Sequence, residues 1–341
     1  MTATFTEVWR TPPTDAPNET VRAVAYAEIN ARPAAISIAG TTLAACDLAS
    51  GEQFGRTHIP DTQDTLVLLT IADLDGTPIA VTSDIGGRVQ ALDLTSGKPL
   101  EQPVAELYGR TKALVAAKDL LLIGRGAGAT SSVYEVPVAS GSVEVWDIAT
   151  RQCERWLRHG GYTDSIAVTE HRGRTVVVTG STYAERPLLD PDDSESHLTA
   201  WDIQTGESLG TPIILPYNAS AASMATGVLD ERLLAVVVGD EGLSVWDLTE
   251  QRETTTVTCP GRIETITWAQ TTTGPIVLAG GGELRADGQN WLRMWDPRDW
   301  RLIAETSTGS GSIRNCAAAP DGSVIVPWGD HVQLLRPQET R

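Results

Sequence analysis

The chain has 341 residues and carries 44 Asp and Glu against 26 Lys and Arg, a formal net charge of −18. So acidic a surface repels phosphate backbones and anionic lipid, so neither nucleic acid nor a membrane surface is an expected partner. The start of the chain shows no basic segment followed by an apolar one, and no apolar run approaches a membrane span, which together point to a cytoplasmic protein. Cys46, Cys153, Cys259 and Cys316 lack Cys-x-x-Cys spacing and read as reduced, mostly buried thiols. Lysine is confined to Lys98, Lys112 and Lys118 beside many Arg and Ala, a compositional sign of a bacterial genome.

Residues 3–10, Ala3-Thr4-Phe5-Thr6-Glu7-Val8-Trp9-Arg10, read as an isolated strand, followed by Thr11-Pro12-Pro13 and a polar linker. From there the chain repeats itself. A short strand running into Asp and a reverse turn occurs at Ala45-Cys46-Asp47-Leu48 and at Ala91-Leu92-Asp93-Leu94. It returns with Trp before the Asp at Val145-Trp146-Asp147, Ala200-Trp201-Asp202, Val245-Trp246-Asp247 and Met294-Trp295-Asp296. The aspartates at 47, 93, 147, 202, 247 and 296 are spaced by 46, 54, 55, 45 and 49 residues. An interval near 45 holds four short strands with their turns, and a period of this length signals a repeat architecture. A second signal in the same phase, apolar-x-x-apolar-x-apolar, lies upstream of each turn, as at Val21/Val24/Tyr26, Leu66/Leu69/Ile71, Ile263/Ile266/Trp268 and Ile313/Cys316/Ala318.

With Ala319-Pro320-Asp321-Gly322 as the turn after a first strand and Gly239-Asp240-Glu241-Gly242 as a tight second turn, the chain resembles the WD-repeat β-propeller family over nearly its whole length. It departs from that family in lacking the Gly-His before the first strand; Gly109-Arg110 and Gly261-Arg262 are nearest to it. The resemblance implies an all-β fold, a single seven-bladed β-propeller with four-stranded antiparallel blades. The blades are expected at about 20–58, 64–106, 110–158, 162–215, 219–259, 262–307 and 312–337. The last blade has no residues left for an outer strand, so residues 3–10 are expected to pair there and close the ring.

Blades three, four and six are longer than the others, and the excess falls between their second and third strands, at residues 125–142, 181–197 and 281–290. In a WD-repeat propeller those connections share one face. The candidate binding residues are therefore Tyr134, Glu135, Tyr183, Glu185, Arg186, Asp190, Asp192, Asp193, His197, Arg285, Asp287 and Trp291, a mixture of aromatic and charged groups on loops held by a scaffold. Asp190, Asp192, Asp193 and Glu195 carry hard oxygen ligands, but their spacing does not match a calcium loop and lacks its turn glycine. Gly124-Arg125-Gly126-Ala127-Gly128 continues into an alternating strand at Ser131–Val138 rather than a helix, so no phosphate site is expected. The five histidines show no metal-ligand spacing, and no Gly-x-Ser-x-Gly elbow is present. The reading is a monomeric, non-enzymatic scaffold or adaptor that binds a protein or peptide on the insertion face, without cofactor, metal or catalytic residues. The alternative is an enzyme, maturation factor or small-ligand sensor using the mouth of a central channel.

Overall fold

The computed structural model describes residues 3–11, 20–59, 65–100, 102–106, 111–125, 141–184, 194–217, 219–259, 261–282, 290–308 and 313–338. Among these residues there is no helix, and the strands form several four-stranded antiparallel sheets. In the first, Val21–Ile29, Arg32–Ala39, Thr42–Asp47 and Gln53–His58 lie side by side in chain order. The same arrangement recurs in Thr111–Ala117, Leu120–Arg125, Ser142–Asp147 and Gln152–Arg158, and in Tyr162–His171, Arg174–Ala184, Ser194–Asp202 and Ile213–Ile214. It recurs again in Ser220–Leu229, Arg232–Val238, Gly242–Asp247 and Arg252–Thr258, and in Arg262–Thr271, Gly274–Gly282, Asn290–Asp296 and Arg301–Thr308. Leu66–Leu74, Thr77–Asp84 and Arg88–Asp93 make a further sheet, with Lys98–Pro99 paired outside them. The chain folds into two compact units: Met1–Ile85, Val89–Pro103 and Cys259–Arg341 form one, Gly86–Arg88 and Val104–Thr258 the other.

The second strand of each sheet is apolar without alternation. Leu121, Leu122 and Ile123, Val176, Val177 and Val178, and Val324, Ile325 and Val326 are all essentially inaccessible. Such a run belongs to a strand covered on both faces. Val177 packs with Val143, Val145 and Leu157 of the sheet before it, whereas Val176 and Val178 pack with Leu233, Ala235 and Trp246 of the sheet after it. In the other unit Ile36 and Ile38 pack with Leu66, Ala80 and Leu92, and Leu278 and Leu292 with Val324 and Val326. Each buried Val, Leu or Ile side chain contributes roughly 1.5–3 kcal/mol, so these sheets are held mainly through their neighbours.

Two turns recur at one end of the strands. The repeat aspartates accept amides of the turn they begin: Asp202 Oδ1 takes Gln204 N at 2.8 Å and Thr205 N at 3.2 Å, and Asp247 Oδ1 takes Thr249 N at 2.9 Å and Glu250 N at 3.0 Å. Beside Asp47, Arg32 and the Ser50 amide draw the carboxyl from 3.8 down to about 2. Four residues on, the backbone is left-handed, at Gly51, Gly97 and Gly206 but also at Arg151, Gln251 and Trp300. The turns between first and second strands carry two consecutive left-handed residues, Asn30-Ala31, Arg172-Gly173 and Asp230-Glu231, the geometry that matches the twist of a tight hairpin.

The N-terminal strand Ala3–Arg10 lies inside an eight-stranded sheet, joining Arg262–Thr271, Gly274–Gly282, Asn290–Asp296 and Arg301–Thr308 on one side to His331–Pro337, Val324–Trp328 and Ala317–Ala318 on the other. It runs antiparallel to His331–Pro337, with Phe5 opposite Pro337 and Arg10 opposite Gln333, and a bulge between Glu7 and Trp9. Phe5 joins the core with Leu292, Val324 and Leu335, and the Trp9 indole donates to Leu48 O at 2.8 Å. Its first residues also pair in parallel with Ala304 and Glu305 of Arg301–Thr308.

Replacing Ala31 or Glu231 by Gly is expected to raise stability by about 1 kcal/mol each, because φ of 60° and 61° penalises a side chain. A urea midpoint that falls in both variants would contradict this. Deleting residues 1–11 is expected to cost on the order of 3–5 kcal/mol, from loss of the Phe5 and Trp9 contacts and exposure of the Pro337 edge. An unchanged midpoint would show that the strand carries no stability.

Candidate functional site

The sheet over 162–214 differs from the others in its second hairpin. Arg174–Ala184 and Ser194–Asp202 have 11 and 9 residues, against 8 and 6 for their counterparts Arg32–Ala39 and Thr42–Asp47. Their pairing continues through Ser181↔His197, Thr182↔Ser196, Tyr183↔Glu195 and Ala184↔Ser194, so the insertion leaves the sheet as a two-stranded ribbon. Alternation places Tyr183 and His197 on one side of it, where their rings stack with centroids 6.4 Å apart and planes 24° apart. Glu195 Oε2 lies 3.2 Å from His197 Nε2, and Thr182 donates to Asp164 Oδ2 at 2.6 Å.

The base of the ribbon meets the preceding sheet at a crossing of three backbone segments. A Cβ on Gly141 would strike the carbonyl of Gly161, and one on Gly161 would strike that of Thr182, so this approach needs glycine at both positions. His159 is buried in the crossing: its amide donates to Gly141 O at 3.0 Å, Nδ1 lies 3.0 Å from Gly160 O, and Nε2 lies 2.9 Å from Thr163 Oγ1. Thr163 Oγ1 is also 3.2 Å from Ser142 O. These contacts accommodate both charge states. In the neutral ring Nδ1–H donates to Gly160 O and the Thr163 hydroxyl donates to Nε2. In the cation Nε2–H donates to Thr163 Oγ1, and that hydroxyl turns to Ser142 O. Burial, the largest influence, pushes the His159 pKa below 6.5, aided by His197 and opposed by the Gly160 carbonyl and by Asp164.

Next to this crossing is a cavity of about 330 Å³ walled by Arg158, His159, Ser181, His197, Thr199 and Trp201. Ser181 and Thr199 are 1% and 3% exposed, and among the described residues their hydroxyls meet no hydrogen-bonding partner. Buried hydroxyls without partners are uncommon in folded proteins. At the root of the insertion in the preceding sheet, Glu144 is 1% exposed, held by Arg125 Nη2 at 2.5 Å and by the Trp146 indole at 2.8 Å.

Of the residues singled out from sequence, Tyr183 and His197 are brought together here. Tyr134, Glu135, Glu185, Arg186, Asp190, Asp192, Asp193, Arg285 and Asp287 lie outside the described residues. Trp291 belongs to the other unit and is buried, 5% exposed, with no partner for its indole N–H among the described residues. Among the described residues no three His, Cys, Asp or Glu are grouped to hold a metal ion, and no helix is long and apolar enough to cross a membrane. His159, Thr163, Ser181 and Thr199 escaped the sequence reading, although the glycines flanking His159 at 141, 160 and 161 were a usable sign of close backbone approach. No protein-family model matches the chain, and no curated protein matches it.

The lowered pKa of His159 has a signed consequence. Between 6.5 and its folded value the unfolded chain binds the proton and the folded chain does not, so this group's stabilising effect is complete above pH 6.5 and declines as pH falls below it. His159→Gln is expected to flatten the difference in urea midpoint between pH 7.5 and pH 5. A variant with the parent's full pH dependence would assign that dependence elsewhere.

Proposed function

We propose that the sheets are blades of a seven-bladed, WD-repeat-like β-propeller, closed where Ala3–Arg10 pairs with His331–Pro337. Support comes from second strands buried on both faces within each unit, and from the recurring aspartate turn. On this scaffold the protein is a non-enzymatic module that binds a protein or peptide on the face bearing the insertions of blades three, four and six.

The observation that carries this reading is the stacked Tyr183–His197 pair, at the root of a projecting ribbon and beside a cavity. A cavity of about 330 Å³ suits one or two peptide side chains, at the small end of ligand sites. The partner segment is basic. The insertion carries Asp190, Asp192, Asp193 and Glu195, and a net charge of −18 steers cations toward the chain. A reducing, cytoplasmic setting fits four free cysteines, of which Cys46 and Cys316 are raised to about 11 by burial and so are held as unreactive thiols.

The test is a peptide array probed with the full chain. It is expected to retain peptides that combine Arg or Lys with an apolar residue, and to release them as salt rises. Replacing residues 185–193 by Gly-Asp, or Tyr183 by Ala, should lower retention roughly tenfold, as loss of a hot-spot side chain does. Glu207→Ala, at the turn on the other end of the same strands, should leave it unchanged. The reverse pattern would move the binding surface to that other end.

A further inference from the structure

A second cavity, of about 390 Å³, lies between the sheets over 162–214 and 220–258, at the end of the strands away from the Tyr183 ribbon. It exists because the outer strand of the first of these sheets is cut to Ile213–Ile214, where the neighbouring sheet has the full Arg252–Thr258. The missing length leaves Val176, Leu198, Leu233 and Leu248 as a floor, with Leu209 44% exposed at the mouth. One wall is fixed by a reciprocal clasp: Thr211 Oγ1 donates to Gln251 Oε1 at 3.1 Å, and Gln251 Nε2 donates to Thr211 O at 3.2 Å.

The rim of this cavity is cationic. No Asp or Glu lines it, although the chain has 44 of them against 26 Lys and Arg. Arg174 makes one long contact, 3.4 Å to Asp202 Oδ2, while 65% of its side chain stays accessible. Arg172 has no partner among the described residues. It sits, with φ of 52°, at the left-handed position that the sister turns give to Asn30, Asp75, Lys118 and Asp230. Asn and Asp tolerate that left-handed backbone, and Arg does not gain from it.

We infer that this pocket binds the C-terminus of a peptide ending in a branched aliphatic residue. The carboxylate is taken by the guanidinium groups of Arg172 and Arg174, whose planar donors match it, and the aliphatic side chain rests on the valine and leucine floor. The open mouth past Leu209 gives the preceding peptide residues a way out along the rim. This site is independent of the Tyr183–His197 cleft.

The experiment is fluorescence anisotropy of fluorescein-labelled Ala-Ala-Ala-Leu-Leu, with a free C-terminus or as its amide, titrated with the full chain. The free acid is expected to bind saturably and roughly tenfold more tightly than the amide, as a charge-assisted contact requires. Arg172→Gly removes the cation while suiting the left-handed turn, so it should keep or raise the parent's urea midpoint and lose the acid–amide difference. Leu209→Asp should weaken both peptides, and replacing residues 185–193 by Gly-Asp should weaken neither. The inference is overturned if acid and amide bind alike, if Arg172→Gly binds the acid as the parent does, or if 4-methylpentanoate alone competes as effectively as the peptide.

Discussion

Everything in this molecule depends on second strands that are apolar on both faces. Val177 is covered by the sheet before it and Val176 and Val178 by the sheet after it, so removing either neighbour would return several fully buried side chains to water. A sheet of this kind has no stable solitary form, as in other repeat architectures. The strand order within each sheet follows from short turns between sequence neighbours, but the burial that stabilises it comes from outside the sheet. The outermost strands show the other side of this constraint: Gln152–Arg158 alternates exposed residues with half-buried ones and the buried Leu157, because one of its edges and part of its faces meet solvent.

The polar residues of the repeat solve local problems left by that burial. Each turn aspartate satisfies amides that the sheet leaves unpaired. The buried indoles need an acceptor, and they find different ones: Glu144 for Trp146, Thr179 for Trp201, and Ser244 for Trp246, with Ser244 in turn donating to Glu253. Three of the four repeat tryptophans thus place their N–H on an acceptor, each from a different residue type.

Both candidate sites arise where the regular sheet is interrupted. In the sheet over 162–214 the second hairpin is too long for the sheet and the outer strand too short for it. The overlong hairpin carries Tyr183 past the sheet body, where it stacks on His197 at the sheet's edge, and the short strand uncovers an apolar floor between sheets. Two arginines, Arg172 and Arg174, line the second of these.

The period of the aspartates, the alternation before them and the excess length of three connections were legible in the sequence, because hairpin strands and their turns depend on residues close together in the chain. That Ala3–Arg10 pairs with His331–Pro337 was legible for a different reason: an isolated strand at one end answered a missing strand at the other. The buried role of His159 was not legible. Its partners Gly141 and Thr163 come from segments at two different sheets, and only the packing of those sheets brings Thr163 within 3 Å of the ring. The unpartnered hydroxyls of Ser181 and Thr199 were hidden for the same reason, since Ser and Thr in an alternating strand read as ordinary solvated positions. Arg172 stood in plain view in a His-Arg-Gly-Arg turn, but its meaning required the shortened strand beside it and the floor that strand exposes. Periodicity determined the sheets; contacts between residues far apart in sequence decided where a ligand could enter.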